Sequence, residues 1–300
     1  MRPTLAVLAL TFARAAAPDA TPDDAAVYAQ GELLYHAAGC VGCHSVPGQP
    51  HLGGGRDNPT VFGTFYAPNI SPDLEQGLGS WTEGDFYTAM RDGRAPDGHL
   101  YWPTFPTMAY TKMSDADIHA LWVYLSAQPA VKSEERAHEP RRIYSLPGML
   151  NLWRLMEFRP GPMTPDPTQT AQWSRGEYLV QAVTYCDQCH TPRSKIGRMR
   201  RGRTMAGGAN LGKFEVHPNL TPHPEAGIGA WSEDDMVRFL TTGEKPDGSV
   251  AREDWVMHEK VRDSYSRLSE DDKRAIYTYL RSLPADDFDP EARYGGDAAP

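Results

Sequence analysis

Two short motifs of the form C-x-x-C-H, at residues 40–44 and 186–190, contain all four cysteines of the chain. Two thiols three positions apart can add across the two vinyl groups of one haem, and the histidine that follows can then bind the iron from the proximal side. The sequence therefore predicts two covalently bound haem c groups. The thioether cysteines would be Cys40, Cys43, Cys186 and Cys189, and the proximal iron ligands His44 and His190.

Three other uses of these cysteines fit the pattern less well. A thioredoxin-like redox pair needs no histidine after its second cysteine, and four cysteines on one zinc ion leave both adjacent histidines unexplained. A disulfide within C-x-x-C closes almost no loop and therefore stabilises little. Covalent haem attachment is the interpretation that uses every residue of both motifs.

The sixth ligand of each iron decides between electron transfer and chemistry at a vacant position. The first half offers Met108, with Met113 and His99 as alternatives, and the second half offers Met257 beside His258. We favour Met108 because its proline-rich loop can present a thioether to iron. We favour Met257 because a thioether suits a high-potential electron-transfer site. The histidines and Met113 stay open as alternatives.

The chain begins in the manner of an exported protein. Arg2 precedes a short apolar run, and small residues of the A-x-A type follow at residues 13–17. This is the order of a secretory signal peptide. We expect residues 1–17 to be removed and the mature protein to reside in the periplasm, where bacteria attach haem to such motifs. No later segment reaches the roughly 18 apolar residues of a membrane span, so we expect no transmembrane segment.

The chain also repeats itself, as a search for internal similarity shows. Three motifs recur at an offset of 150 residues. They are P-N-[IL]-[ST]-P (residues 68–72 and 218–222), G-x-G-x-W (77–81 and 227–231) and P-D-G (96–98 and 246–248). Each half therefore contains one haem motif followed by the same series of short motifs, and we interpret each half as one haem domain.

Short helices are predicted to surround each haem. The first helix of each half leads to the haem motif and carries a glycine, Gly31 or Gly176, that would let another helix cross at close range. The last helix begins at a serine N-cap, Ser114 or Ser269, with acidic residues in its first turn, where the helix dipole favours them. Each half is thus expected to be helical.

The domain boundaries follow from the repeat and from the distribution of proline. A proline-rich segment separates the halves and contains an apolar run, residues 150–156, that we expect to form one short helix packed between the domains. The predicted parts are a signal peptide (1–17), a first domain (20–130), an interdomain strap (131–172), a second domain (173–285) and an acidic tail (286–300).

Taken together, these motifs resemble a known family, the cytochrome c subunits of bacterial membrane-bound alcohol and gluconate dehydrogenases. The resemblance runs from about residue 25 to residue 285. Besides the haem motifs, it includes Y-A-P-N-I-S-P (66–72), G-L-G-S-W (77–81), R-P-G (159–161), P-D-P (165–167) and C-H-T-P-R (189–193).

The resemblance implies a fold and a set of iron ligands. The fold would be all-α, with two tandem class I cytochrome c domains joined by the proline-rich strap, and each iron would have one histidine and one methionine ligand. Met257 falls at the ligand position of the family. Phe105 stands where many relatives have the first methionine, so Met108 and its alternatives stay open.

The resemblance also implies a function, a periplasmic diheme cytochrome that transfers electrons from a dehydrogenase towards the respiratory chain. The donor would be a periplasmic or membrane-bound dehydrogenase, and the acceptor another cytochrome, a quinone-linked complex or a terminal oxidase. Family subunits usually have a third haem domain and a C-terminal membrane-associating segment, whereas this sequence stops after the second domain, so we expect a soluble two-haem cytochrome rather than a true dehydrogenase subunit. We also expect an electron carrier rather than a catalyst. The alternative is a diheme enzyme, of the peroxidase or thiosulfate-oxidising type, with one labile or open haem site.

Charge is unevenly distributed along the chain, whose net charge is -9. Residues 20–130 carry 4 basic and 12 acidic side chains, whereas residues 173–285 carry 17 basic and 16 acidic ones. A basic cluster after the second haem motif is either a solvated loop or a docking site for a partner. We do not expect nucleic acid as that partner, because the loop is short and the protein acidic. The cluster consists of Arg193, Lys195, Arg198, Arg200, Arg201 and Arg203.

Overall fold

A computed structural model describes residues 22–60, 62–194, 197–210, 215–253 and 255–294. The predicted signal peptide and the last six residues of the predicted tail lie outside these ranges. The described chain is mostly helical, and it also contains two small sheets. The all-α prediction is therefore right for the dominant elements but missed the sheets, whose strands are two to four residues long and too short to show a periodic pattern. Within the described ranges, no helix has the length and apolar character needed to cross a membrane.

The described residues of the first half form five helices and a β-hairpin. The helices are α1 (Pro22–Ala37), α2 (Cys40–His44), α3 (Glu83–Asp92), α4 (Thr107–Tyr110) and α5 (Asp115–Ser126). The hairpin is formed by β1 (Asp57–Thr60) and β2 (Gly63–Tyr66). In the segment between the halves, β3 (Glu139–Pro140) pairs with β2 in the antiparallel sense, and α6 (Met149–Glu157) follows.

The second half has a similar order of elements. Its helices are α7 (Ala171–Tyr178), α8 (Cys186–His190), α9 (Glu233–Thr242), α10 (Val256–Asp263) and α11 (Glu270–Ser282), followed by α12 (Pro290–Tyr294). The antiparallel strands are β4 (Gly208–Asn210) and β5 (Glu215–His217). A π-helical turn, Leu179–Val183, continues α7, and 3₁₀ turns occur at Arg201–Arg203 and Tyr265–Arg267.

The predicted glycines lie where the first and last helices of each half cross. A Cβ atom on Gly31 would overlap the carbonyl oxygen of Ala120 in α5, and a Cβ atom on Gly176 would overlap that of Ala275 in α11. The last helices begin as their sequences predict, because the hydroxyls of Ser114 and Ser269 accept hydrogen bonds from backbone N–H groups three residues later.

The two halves pack against each other along a continuous apolar core. Polar contacts accompany this packing. The N–H of Ser114 donates to the hydroxyl of Tyr178 at 3.0 Å, and that hydroxyl donates to Asp117. The buried ring of His36 reaches the carbonyl of Asp263, with 3.0 Å between Nδ1 and the oxygen. The halves are therefore joined by specific side-chain contacts as well as by the segment between them.

The segment between the halves contributes only one face of its helix to the interior. Phe158 and Glu157, at the C-terminal end of α6, are buried, whereas Leu152 and Leu155 are exposed. The predicted short helix is present at Met149–Glu157, and its packing between two domains stays a prediction. At the other end of the chain, the amide of Asn219 donates to the carbonyls of Asp286 and Phe288, so the start of the predicted tail packs on the second half.

Candidate haem sites

Each haem motif is a helix of five residues that follows an abrupt change of chain direction. The residue before the first cysteine is left-handed in both halves, with φ of 71° at Gly39 and 43° at Tyr185. Glycine adopts this conformation readily, whereas a tyrosine there is uncommon and marks a constrained site. The turn separates α2 from α1, and α8 from the π-helical turn that continues α7.

The proximal histidines are held in the same way in the two motifs. The Nδ1 atom of His44 lies 2.8 Å from the carbonyl oxygen of Pro68, and that of His190 lies 2.8 Å from the carbonyl oxygen of Pro218. A carbonyl can only accept, so Nδ1 carries the proton and the lone pair of Nε2 is available to iron. Burial lowers the pKa of both imidazoles, which keeps them in the neutral form that binds a metal.

The repeated P-N-[IL]-[ST]-P motif explains why these carbonyls are fixed. The side-chain oxygen of Asn69 accepts from the N–H of Ser71 at 2.8 Å, and its amide donates to the carbonyl of Val131 at 2.7 Å. Asn219 makes the corresponding bonds to the N–H of Thr221 and the carbonyl of Asp286. The motif is therefore a clamped turn that positions the acceptor of each proximal histidine.

None of the four cysteines, all of which lie in the described residues, forms a disulfide. Burial raises the pKa of Cys40 to about 12 and that of Cys186 to about 11, so neither is a reactive thiolate of the thioredoxin type. Among the described residues, no group of three or more His, Cys, Asp or Glu side chains is arranged to hold a metal ion directly. Paired thiols, one oriented imidazole and apolar surroundings fit haem c at both motifs.

The candidates for the sixth ligands differ in environment. Met108 is half-buried on α4, and Met257 is half-buried near the start of α10, where it packs against the core. Met113 is fully buried in the core, and the exposed His99 is turned towards Asp97 with 2.6 Å between Nδ1 and the carboxylate. Met108 and Met257 stay predictions.

Lys260 lies between the two haem motifs. Its ammonium group donates to the hydroxyl of Tyr185 and lies 4.4 Å from the centre of that ring. The same ammonium lies against Gly39, the residue before Cys40 of the first motif, because a Cβ atom built on Gly39 would overlap Nζ of Lys260. The ring of Tyr110 meets Tyr185 edge-on at 5.9 Å. A single cation of the second half is therefore shared by both candidate haem sites.

An ion pair joins the halves beside the first motif. The guanidinium of Arg56 donates to both carboxylate oxygens of Glu259, at 2.7 and 2.6 Å, and to the carbonyl of Gly42 at 2.6 Å. Arg56 therefore connects α2 of the first half to α10 of the second. Both carboxylate oxygens accept from the same guanidinium nitrogen, and the other terminal nitrogen donates to Gly42, so one charge-assisted contact spans the two helices.

Sequence reasoning missed Lys260, Tyr185 and the Arg56–Glu259 pair. The proline carbonyls had a sequence signal, because the P-N repeat follows both haem motifs at a similar distance. Lys260 had no sequence signal, since it lies 75 residues from Tyr185 and outside every repeated motif. Its role depends on how the halves meet, which no local pattern encodes.

The basic cluster does not form one free surface. The guanidinium of Arg193 donates to the carbonyl of Gln188, and Arg203 pairs with Asp286. Lys195 lies outside the described residues. Three arginines of the cluster remain exposed, namely Arg198, Arg200 and Arg201.

Two C-x-x-C-H helices, each with its histidine fixed through Nδ1, define a c-type cytochrome. The sequence model of the cytochrome c family matches residues 28–128. A diheme c-type cytochrome of Cereibacter sphaeroides is 34% identical over 266 residues, which cover 85% of this chain and 86% of that protein. The chain therefore belongs to the cytochrome c family that includes the diheme c-type cytochromes and the cytochrome c subunits of alcohol, fructose and gluconate dehydrogenases.

Two further relatives are larger proteins. The cytochrome c subunit of the quinone alcohol dehydrogenase of Gluconobacter oxydans is 34% identical over 292 residues, which cover 94% of this chain and 59% of that subunit. A subunit of the nicotinate dehydrogenase of Pseudomonas putida is 34% identical over 259 residues, covering 86% of this chain. The chain spans only 21% of that protein.

Proposed function

We propose that the protein is an exported diheme c-type cytochrome that carries electrons from a dehydrogenase towards the respiratory chain. Haem c, when bound, supplies a one-electron Fe(III)/Fe(II) couple. The main support for this proposal is that the Nδ1 atom of each motif histidine lies 2.8 Å from a proline carbonyl oxygen. Both motifs therefore retain the oriented imidazole that an iron ligand requires.

The proposed architecture is two tandem class I cytochrome c domains joined by the proline-rich strap. In each domain, two cysteines would hold the haem covalently while one histidine and one methionine bind its iron. His/Met ligation favours a high-potential carrier and leaves no open coordination position. The assigned residues are Cys40, Cys43, His44 and Met108 in the first domain, and Cys186, Cys189, His190 and Met257 in the second.

The protein surroundings of these sites support transfer between the haems. Lys260 lies beside the residue that precedes each motif, Gly39 or Tyr185, and α2 is tied to α10 through Arg56 and Glu259. These contacts hold the two attachment sites next to each other, and a fixed short separation favours electron exchange within the molecule. The donor is proposed to be a dehydrogenase, as the names of the relatives indicate. The acceptor would be another cytochrome, a quinone-linked complex or a terminal oxidase in the same compartment.

Mass spectrometry and optical spectra of the mature holoprotein test this function. We expect two haem adducts and, in the ferric state, the weak absorption at the red end of the spectrum that methionine–iron bonds produce. Met108→Ala and Met257→Ala should each remove about half of that band, because each change removes one of two thioether ligands. His99→Ala and His258→Ala serve as controls and should leave the band unchanged.

Three outcomes would count against the proposal. A single haem adduct would contradict the two-haem assignment. A high-spin haem in the unmodified protein, or rapid turnover of peroxide, would instead support the diheme enzyme. Loss of the band in His99→Ala or His258→Ala, with the methionine variants unaffected, would show that the ligands are wrongly assigned.

A further inference from the structure

The turn before α6 and the helix itself expose four aliphatic side chains. Leu152 and Leu155 lie three residues apart and thus share one face of the helix. Arginines stand at both ends of this segment. We define the strap surface as these aliphatic side chains together with the exposed Arg141, Arg142 and Arg159. The exposed fractions are 61% for Ile143, 53% for Leu146, 52% for Leu152 and 74% for Leu155.

The opposite side of this segment is firmly attached to the protein. The ring of Tyr144 packs edge-on against Phe62, with 4.9 Å between the ring centres. Arg154 donates to the carbonyl of Asp92 at the end of α3, with 2.6 Å between the atoms. Phe158, which follows the helix, is buried. The four aliphatic side chains are thus presented to solvent by an anchored element, and their exposure is not a consequence of fraying.

The strap surface is basic in an acidic protein. Residues 141–159 contain four arginines and one acidic residue, Glu157, whereas the whole chain has a net charge of -9. Glu157 is buried, and its carboxylate accepts from Nε of Arg198 at 2.6 Å. Arg201 donates to the backbone carbonyl of Glu157 at 3.0 Å. The exposed part of the basic cluster therefore adjoins one end of the strap surface.

We propose that the strap surface is a peripheral membrane-binding site whose occupant is the surface of an anionic phospholipid bilayer. Aliphatic side chains on one face of a surface helix enter the boundary between headgroups and acyl chains, and basic residues beside them bind anionic lipids. A guanidinium pairs with a phosphate through two parallel hydrogen bonds. With 9 residues, α6 is too short to span the apolar layer of a bilayer, so it would lie along the surface.

Charge and shape favour a bilayer over a protein partner. A second copy of the chain would meet the strap surface through the same surface in a two-fold dimer, and would place Arg141, Arg142 and Arg159 of both copies close together. Centres of protein interfaces are enriched in aromatic side chains, whereas the exposed side chains here are aliphatic and project from a turn and the helix that follows it. An anionic lipid layer satisfies both the apolar side chains and the arginines.

Vesicle binding by the mature holoprotein tests the proposal. We expect cosedimentation with vesicles of phosphatidylglycerol and phosphatidylethanolamine, little with pure phosphatidylcholine, and release at high salt. The double substitution Leu152→Ser with Leu155→Ser should weaken binding at least about tenfold, because it removes the inserted side chains. Leu74→Ser is the matched control, since Leu74 is 73% exposed but lies between the acidic Asp73 and Glu75. It should bind as the unmodified protein does.

A second variant tests the charged part of the strap surface. Arg141→Ser combined with Arg142→Ser should weaken binding several-fold at low salt and reduce the salt dependence. All these changes are on the surface, so haem content and optical spectrum should not change. A negative result in the vesicle experiment would therefore not count against the proposed electron-transfer function.

The membrane proposal is overturned if the holoprotein does not bind phosphatidylglycerol vesicles at low salt. Equal binding by the double leucine variant overturns it as well. Self-association in sedimentation, lost in that variant, would assign the strap surface to a second copy and would also overturn it.

Discussion

At the scale of single residues, Lys260 stands out because one ammonium group serves two candidate redox sites. Its partner Tyr185 occupies a left-handed conformation that an aromatic residue rarely adopts. The hydrogen bond and the contact of the cation with the ring together fix that tyrosine one residue before Cys186. The cation therefore positions the second motif, and it also lies against Gly39, the residue before the first motif.

Replacing Lys260 by methionine should lower the midpoint potentials of both haems. Removal of a nearby positive charge stabilises the ferric form relative to the ferrous form, and a charge interaction of about 1 kcal/mol corresponds to a shift on the order of 50 mV. The measurement is a potentiometric titration followed at the two haem bands. Lys132→Met is the control, because Lys132 is exposed and pairs with the exposed Glu75.

The outcome at the two haems separates the possible roles of this residue. A shift at one haem alone would show that Lys260 belongs to one site. An unchanged pair of potentials would leave it as a packing residue. Tyr185→Phe, which keeps the ring and removes the hydroxyl, should give a smaller shift in the same direction.

At the scale of elements, the crossing of the first and last helices holds each motif in place. Gly31→Ala and Gly176→Ala should each destabilise the protein by about 1–3 kcal/mol, because the added methyl group overlaps the backbone carbonyl of Ala120 or Ala275. Denaturant unfolding followed by helical circular dichroism measures the change.

A third glycine provides the matched control for these substitutions. Gly84 is exposed near the start of α3, and the nearest atom to a Cβ built there is the Thr82 hydroxyl at 3.7 Å. Gly84→Ala should be neutral or should stabilise the protein by up to about 1 kcal/mol, as expected for alanine in a helix. Equal losses at all three glycines would contradict the assigned crossings.

These elements were predictable to different degrees. The caps at Ser114 and Ser269 and the glycine crossings have local signals, namely acidic first turns and an internal repeat that shows the same residues twice. The sheets were not predictable, because β3 consists of two residues and pairs with a strand about 75 positions earlier. The contact of Lys260 with the candidate sites could not be predicted from the sequence either, because it forms only when the halves pack together.

At the scale of the whole molecule, the two halves meet where their haem motifs lie. Arg56 and Glu259 form a two-point ion pair across this contact, and their side chains are 26% and 31% exposed. A second ion pair joins Glu75 of the first half to Lys132 of the segment that follows it, with 3.3 Å between the charged atoms. Both side chains are 76% exposed. These two ion pairs allow a comparison between a partly buried pair that joins the halves and a solvated pair.

Breaking the pair between the halves should loosen their association. We expect Glu259→Gln to reduce the free energy of unfolding by about 1–3 kcal/mol, because the guanidinium loses a charged, bidentate acceptor in a site of restricted solvation. Glu75→Gln should change it by less than about 1 kcal/mol, since exposed pairs contribute little. Differential scanning calorimetry should also show the single transition of the unmodified protein broaden or divide in Glu259→Gln, as the halves unfold more independently. Equal effects of the two substitutions, or two separate transitions in the unmodified protein, would mean that this contact does not couple the halves.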